Sequence, residues 1–95
     1  MEGPAEIEAA VKRLLVERLD VRPEALEKVD SATPLVGRGI GLDSVEALTL
    51  ASEIEGEFDI HFEDHELTAD LFSSLVTLSA SIAGKCRDRT GSSHR

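Results

Sequence analysis

The sequence predicts an all-α fold made of four helical segments and one long loop. Apolar residues recur every three or four positions in separate segments, which is the spacing of one helix face. Alternating runs of β-branched or aromatic residues, which would predict strands, are not found, and the only aromatic residues are three phenylalanines. With 95 residues, 41% of them hydrophobic, the chain has room for one domain with a single core.

The first helix is predicted over Pro4–Leu19. Pro4 suits the first position of a helix because the amide hydrogen that it lacks would have no intrahelical acceptor there. Acidic residues near the start and basic residues toward the end complement the helix dipole. One apolar stripe at helical spacing is formed by Ile7, Val11, Leu14, Leu15 and Leu19.

Residues 20–43 are predicted to form a long loop with a helical turn around residues 24–29. Pro23 and Pro34 interrupt helices, and glycine occupies every second position from Gly37 to Gly41. A loop of this length in a small domain is expected to be functional or to be packed by its own side chains. The apolar candidates for that packing are Leu26, Val29, Leu35, Val36, Ile40 and Leu42.

The second helix is predicted to begin at Asp43-Ser44. Asp43 can cap it, and Glu46, three residues later, can return a hydrogen bond to the cap, as in a capping box. Gly56 inside this helix is expected to cost about 1 kcal/mol relative to alanine. The core stripe consists of Ala47, Leu50, Ala51, Ile54 and Phe58.

Two further helices follow. Residues 64–71 are predicted to form a short third helix with Leu67 and Leu71 on one side. Ser73 or Ser74 is expected to cap the last helix, whose core stripe is Leu75, Leu78, Ile82 and Cys86. We therefore expect the folded domain to span residues 1–86 and residues 87–95 to form a flexible tail.

The charge is strongly negative and uneven. The net charge is −9, and no lysine or arginine lies between Arg38 and Lys85, a span that holds ten acidic residues. The chain lacks the basic footprint that nucleic acids and anionic membranes require, so a basic protein surface is the expected partner. An acidic face that is merely solvated is the alternative.

The single cysteine, Cys86, cannot form an internal disulfide, and no apolar stretch is long enough to span or insert into a membrane. The first residues lack the basic and apolar regions of a signal peptide. These observations predict a cytoplasmic protein.

Ser44 is expected at the start of the second helix, where unpaired backbone amides and the helix dipole favour a phosphate ester. The alternative is that Asp43-Ser44-Val45-Glu46 is only a helix cap. Val45 and Leu48 lie off the core stripe, so they present an apolar face to a partner or pack against the long loop.

The segment Gly41-Leu42-Asp43-Ser44-Val45-Glu46-Ala47-Leu48 resembles the prosthetic-group attachment site of the acyl carrier protein family. The resemblance extends in order and spacing over roughly residues 5–84. It includes the preceding loop at 29–35, the acidic helix end at 53–60, and Leu71-Phe72-Ser73-Ser74-Leu75 before the last helix.

The resemblance implies a four-helix bundle with a long first loop and a short third helix. It implies that a phosphopantetheinyl transferase attaches 4′-phosphopantetheine from coenzyme A to Ser44, and that acyl chains are carried on its thiol as thioesters. Such a carrier is not itself an enzyme. It is expected to be a monomer. Its expected partners are acyl-transferring and acyl-modifying enzymes with basic docking patches. The residues expected to contact these patches are Asp43, Val45, Glu46, Leu48, Glu53 and Glu55.

Some residues depart from the family pattern. The glycines at 37–41 suggest a more mobile loop, Ser52 and Gly56 replace larger residues, and Glu63 stands where proline is common. These departures suggest a specialised carrier rather than the housekeeping one of fatty-acid synthesis. A peptidyl or aminoacyl carrier, and an unmodified helical adaptor that binds partners through its acidic face, are the alternatives.

Other sites are not favoured. His61 and His65 lie one helical turn apart beside carboxylates, but the spacing is not that of a zinc protease, so we expect no specific metal site. Cys86 lies on an apolar stripe and is expected to be a core residue rather than a nucleophile. The glycine-rich segment at 37–41 does not contain the lysine that a phosphate-binding loop requires, so no nucleotide site is expected.

Overall fold

The computed structural model describes residues 3–30, 32–37 and 39–92. Their secondary structure is helical, with one isolated bridge between Val36 and Leu42 and no extended strand among these residues. This confirms the predicted all-α class and the long loop after the first helix. The elements are α1 (Pro4–Leu19), α2 (Pro23–Glu27), α3 (Ser44–Phe58), a 3₁₀ helix (Asp64–Glu66) and α4 (Leu75–Ser92).

Helix α1 begins and ends where the sequence predicted. At its start the Gly3 amide donates to Glu6 Oε1 at 2.7 Å. At its end Asp20 adopts a left-handed conformation, with φ at 60°, and the Val21 amide donates to the Leu15 carbonyl at 3.0 Å. Such a reversal satisfies carbonyls that the last helical turn leaves unpaired and turns the chain into the long loop.

Helix α1 packs against both α3 and α4 and forms the centre of the bundle. The predicted stripes of the three long helices are buried, except that Leu19 and Cys86 are only partly buried at the edge of the core. Leu26, Leu35 and Leu42 of the long loop are buried in the same core. The loop is therefore packed by its own side chains, as its length required.

The third helix is shorter than predicted. Instead of a helix over residues 64–71, one 3₁₀ turn at Asp64–Glu66 is followed by bends and turns up to Ser73. The Glu66 carboxylate accepts the Glu63 amide at 2.7 Å and pairs with Lys85 Nζ of α4 at 2.8 Å. These contacts complete a single turn, after which the Leu71 amide donates to the Thr68 carbonyl and the chain turns toward α4.

Helix α4 is capped by Ser74, one of the two predicted residues, whose Oγ accepts the Thr77 amide at 3.1 Å. The helix continues to Ser92, past residue 86, where the sequence predicted that the folded domain ends. No proline interrupts this segment, and cations near a helix C-terminus favour its dipole. Residues 93–95, the end of the predicted flexible tail, lie outside the described residues.

One buried polar group in the described core has no partner. The side chain of Ser79, on α4, is fully buried, and its Oγ forms no hydrogen bond. A buried hydroxyl without a partner costs about 1–3 kcal/mol of desolvation free energy. The core of α4 is therefore less favourable than its aliphatic stripe suggests.

Lys85 holds the 3₁₀ turn against α4. Besides its ion pair with Glu66, its ammonium lies 5.4 Å from the centre of the buried Phe62 ring. The hydrogen bond from Lys85 and the one from the Glu63 amide keep the pKa of Glu66 below its ordinary value of 4.5.

Among the described residues, none of the helices combines the length and the hydrophobicity that a membrane-spanning helix needs.

We predict that Lys85→Gln lowers the free energy of unfolding by about 0.5–1 kcal/mol at pH 7, because a partly exposed ion pair is lost. Because the folded pKa of Glu66 lies below that of the unfolded chain, the contribution is present above pH 4.5 and is lost as the pH falls below it. Urea unfolding at pH 7 and at lower pH should show the difference between wild type and variant shrinking on acidification. Lys85→Arg is the charge-conserving control, and an equal loss in both variants would contradict the prediction.

Candidate functional site

The start of α3 is fixed by a reciprocal pair of hydrogen bonds. Asp43 has extended backbone, and its Oδ1 accepts the Glu46 amide at 2.8 Å. Glu46 Oε1 accepts the Asp43 amide at 3.0 Å, and the first intrahelical bond joins the Ala47 amide to the Asp43 carbonyl at 2.9 Å. The predicted capping box is confirmed, and it defines Ser44 as the first residue of the helix.

The Ser44 side chain is exposed at this helix start. Its hydroxyl forms no hydrogen bond with the residues that the structure describes. The backbone amides of Ser44 and Val45 precede the first intrahelical bond, and the positive end of the helix dipole lies beside them. An anion attached at Ser44 Oγ would therefore meet favourable backbone electrostatics and no steric barrier from these residues.

The segment before Ser44 is anchored in the core. Leu42 is buried, and its amide donates to the Leu35 carbonyl at 3.0 Å. Gly41 turns the chain with φ at 92°, a conformation that favours glycine. Because Leu42 is held inward, the backbone emerges at Asp43 with the cap and the serine on the surface.

An apolar face of α3 lies next to the serine. The side chains of Val45 and Leu48 are 72% and 51% exposed, and the core stripe of α3 is buried on another face. Val45 and Leu48 do not pack under the long loop, which was the alternative considered from the sequence. Val76 on α4, at 50%, is the other large apolar residue that is strongly exposed in the described part of the chain.

The acidic residues of α3 differ in what they contact. Asp43 and Glu46 are engaged in the capping box at the serine end. Glu53, further along α3, forms an ion pair with Arg18 of α1 at 3.5 Å. Glu55 accepts the Phe62 amide at 2.8 Å and lies 3.3 Å from His61 Nδ1. Five of the six predicted docking residues thus lie on α3 and the sixth caps it, but the two distal acids also support the fold.

Sequence reasoning missed the role of two arginines of α1. Arg13 bonds to Glu57 of α3 as well as to Glu17, and Arg18 reaches Glu53. Both are exposed residues on a helix that packs against α3, which is the signal that could have indicated these pairs. They compensate part of the acidic charge in the second half of α3.

His61 contacts two carboxylates near the end of α3. His61 is exposed between Glu55 and Glu63, and no group of three potential metal ligands is found among the described residues. Cys86 is partly buried and packs against the core, as the apolar stripe predicted. His94 lies outside the described residues.

A small helical bundle that displays an accessible hydroxyl at a helix start, beside an exposed apolar helix face, has the features of a carrier domain. The chain belongs to the phosphopantetheine attachment site family, whose profile matches residues 9–82. This confirms the resemblance to acyl carrier proteins. No solved structure matches the chain with statistical significance.

Members of this family carry a 4′-phosphopantetheine prosthetic group and are carrier domains, which in general do not catalyse reactions themselves. They interact with a phosphopantetheinyl transferase and with biosynthetic enzymes. The start of α3 fits such a group, because it combines an accessible hydroxyl with unpaired backbone amides that suit a phosphodiester.

We predict that Asp43→Ala lowers the free energy of unfolding by about 0.5–2 kcal/mol, because the Glu46 amide loses its acceptor at the helix start. Asp43→Asn should recover most of this loss, since an asparagine side chain also caps a helix. Urea denaturation followed by circular dichroism measures both variants. If Asp43→Asn were as unstable as Asp43→Ala, the capping account would be wrong.

Proposed function

We propose that Ser44 is the residue that receives 4′-phosphopantetheine. The observation that supports this proposal is the exposed Ser44 side chain at the capped start of α3, with a hydroxyl that no described residue engages. Asp43-Ser44 followed by the aliphatic Val45 also resembles the family's attachment motif. The modification makes the chain a carrier of acyl intermediates.

The modification is a phosphoryl transfer with coenzyme A as donor. Ser44 Oγ attacks the phosphorus next to the pantetheine, one O–P bond forms, and the bond to adenosine 3′,5′-bisphosphate breaks. The hydroxyl proton passes to a base of the transferase or to water. The chain itself presents the hydroxyl, and the first-turn amides of α3 stabilise the negative charge of the phosphodiester product.

When bound, the prosthetic group supplies a thiol that holds acyl chains as thioesters. The protein contributes the position of the attachment point and the surface that partner enzymes recognise. Because the bundle is tied together through one core, the attachment point keeps a fixed relation to the neighbouring apolar face.

The cargo is an acyl chain of fatty-acid, polyketide or related specialised biosynthesis. The acidic α3 and the residue before Asp43 support an acyl carrier over a peptidyl one, because peptidyl carriers more often have glycine where this chain has Leu42. Leu42 is buried and bonded to Leu35, so this position has a packing role here. Loading with acyl and with aminoacyl donors distinguishes the two classes.

A cytoplasmic site of action and a monomeric state remain predictions.

The docking surface in this proposal is centred on Val45 and Leu48. These side chains lie within one turn of Ser44 and are the exposed apolar residues of α3. Asp43 and Glu46 supply negative charge beside them. Glu53 and Glu55 complete the surface from further along the helix. A partner with an apolar centre and a basic rim matches this arrangement.

We predict that incubation with coenzyme A and a broad-specificity transferase raises the intact mass of the wild-type protein by one 4′-phosphopantetheine. Ser44→Ala should show no increase, because the attacking oxygen is removed. Ser52→Ala, which removes an exposed hydroxyl two turns further along α3, is the matched control and should be modified normally. An unmodified wild type would favour the helical adaptor, and modification of Ser44→Ala would place the attachment elsewhere.

We predict that Leu48→Ala reduces kcat/KM for the transferase by about 5–30-fold, the effect of removing a central apolar contact worth about 1–2 kcal/mol. Val76→Ala is the control, because Val76 has the same exposure but lies on α4, outside the proposed surface. Initial rates over a range of carrier concentrations provide the measurement. Equal losses in both variants would contradict a docking surface restricted to α3.

A further inference from the structure

We infer that Gly39 is a positioning residue for the modification of Ser44, since its close packing against Pro34 closes the loop that leads into α3. This inference rests on the proposed function, because it concerns how the same serine is presented. It gives a role to one of the glycines that depart from the family pattern.

The contact between Gly39 and Pro34 leaves no space for a side chain. A Cβ added at Gly39 would collide with the Pro34 carbonyl oxygen, and it would lie 2.7 Å from the carbonyl carbon and 3.0 Å from the nitrogen of the same residue. All these atoms belong to the backbone, so a side-chain rotation cannot relieve the collision. Gly39 is not in the left-handed region, and therefore the requirement for glycine comes from the close approach.

Two hydrogen bonds close the loop next to this contact. The Ile40 amide donates to the Pro34 carbonyl at 2.9 Å, and the Leu42 amide donates to the Leu35 carbonyl at 3.0 Å. The Pro34 carbonyl that would collide with a Cβ is thus the acceptor of the first bond. A residue larger than glycine must move this carbonyl and disturb the hydrogen bonds that close the loop.

The closed loop is fastened to the rest of the domain at its base. Leu35 and Leu42 are both buried, and the Leu35 amide donates to the carbonyl of Phe72, in the segment before α4, at 3.1 Å. Leu35 therefore links the α4 side of the domain to the residue that precedes Asp43. A displacement at Pro34 or Gly39 is transmitted to Leu42, and from there to the capped start of α3.

The other glycines provide internal comparisons. A Cβ at Gly37 would have no atom within 4 Å, although φ at this residue is 69°, and a Cβ at Gly56 in α3 would also have open space. Gly56→Ala thus tests a glycine replacement without collision, and Gly37→Ala tests backbone strain without collision. Of these three variants, only Gly39→Ala brings a new methyl group into collision with backbone atoms of the loop.

The test compares transferase kinetics of four variants, measured with coenzyme A by intact mass under conditions in which circular dichroism shows each variant folded. Gly39→Ala should lower kcat/KM by at least 10-fold, mainly through KM, because the displaced helix start is recognised less well while the serine hydroxyl is unchanged. Gly56→Ala and Ile82→Val should stay within twofold of wild type. Ile82→Val weakens the buried core of α4 and controls for a general loss of stability. Gly37→Ala should lose less than Gly39→Ala.

Amide hydrogen exchange of the unmodified wild type is the second measurement, and it does not depend on the folding of any variant. The Ile40 and Leu42 amides should exchange more slowly than the same residues in an unstructured peptide. Exchange at peptide rates, kinetics of Gly39→Ala within twofold of wild type, or an equal loss in Ile82→Val would each overturn the positioning role. Absence of modification in every protein, wild type included, would instead overturn the proposed function.

Discussion

Leu42 is the residue on which the presentation of Ser44 depends. Its side chain is buried in the core, and its amide is bonded to Leu35, so the backbone direction at this point is determined by tertiary packing. Asp43 then leaves the core and caps α3, and Ser44 follows on the surface. A buried anchor two residues before an exposed hydroxyl allows the serine to be accessible while its backbone is held in place.

The same anchor connects the long loop with the segment before α4. Because the Leu35 amide is bonded to Phe72 and its carbonyl to Leu42, the two ends of the loop before α3 meet the segment before α4. A carrier needs this combination, since its partners must find the attachment point in a reproducible place relative to the surface that they bind. The long loop therefore serves as a structural support for the site as well as a connection between helices.

The features that could be predicted from the sequence are those set by local interactions. The limits of α1 follow from Pro4 and an apolar stripe, and the capping box at Asp43 joins residues three positions apart. Helical spacing placed Val45 and Leu48 off the core stripe, and the structure then showed them exposed rather than packed against the long loop. Local patterns of this kind are recognisable because both partners lie within one or two helical turns.

The features that could not be predicted depend on contacts between distant segments. The third helix is reduced to one turn whose Glu66 is paired with Lys85 of α4, and the acids of α3 are partly compensated by arginines of α1. The glycines before the site suggested mobility from composition, whereas Gly39 lies in close contact with Pro34. The roles of these charged residues and of Gly39 follow from their spatial neighbours, which the sequence does not give.

The arginine pairs have a consequence for the electric field around the domain. Arg13 and Arg18 offset carboxylates in the second half of α3, whereas Asp43 and Glu46 at its first turn have no cationic partner in the described part of the chain. Their two negative charges exceed the positive partial charge of about one half at a helix N-terminus. The surface beside Ser44 therefore keeps a net negative charge, and this charge accelerates the approach of a cationic partner surface.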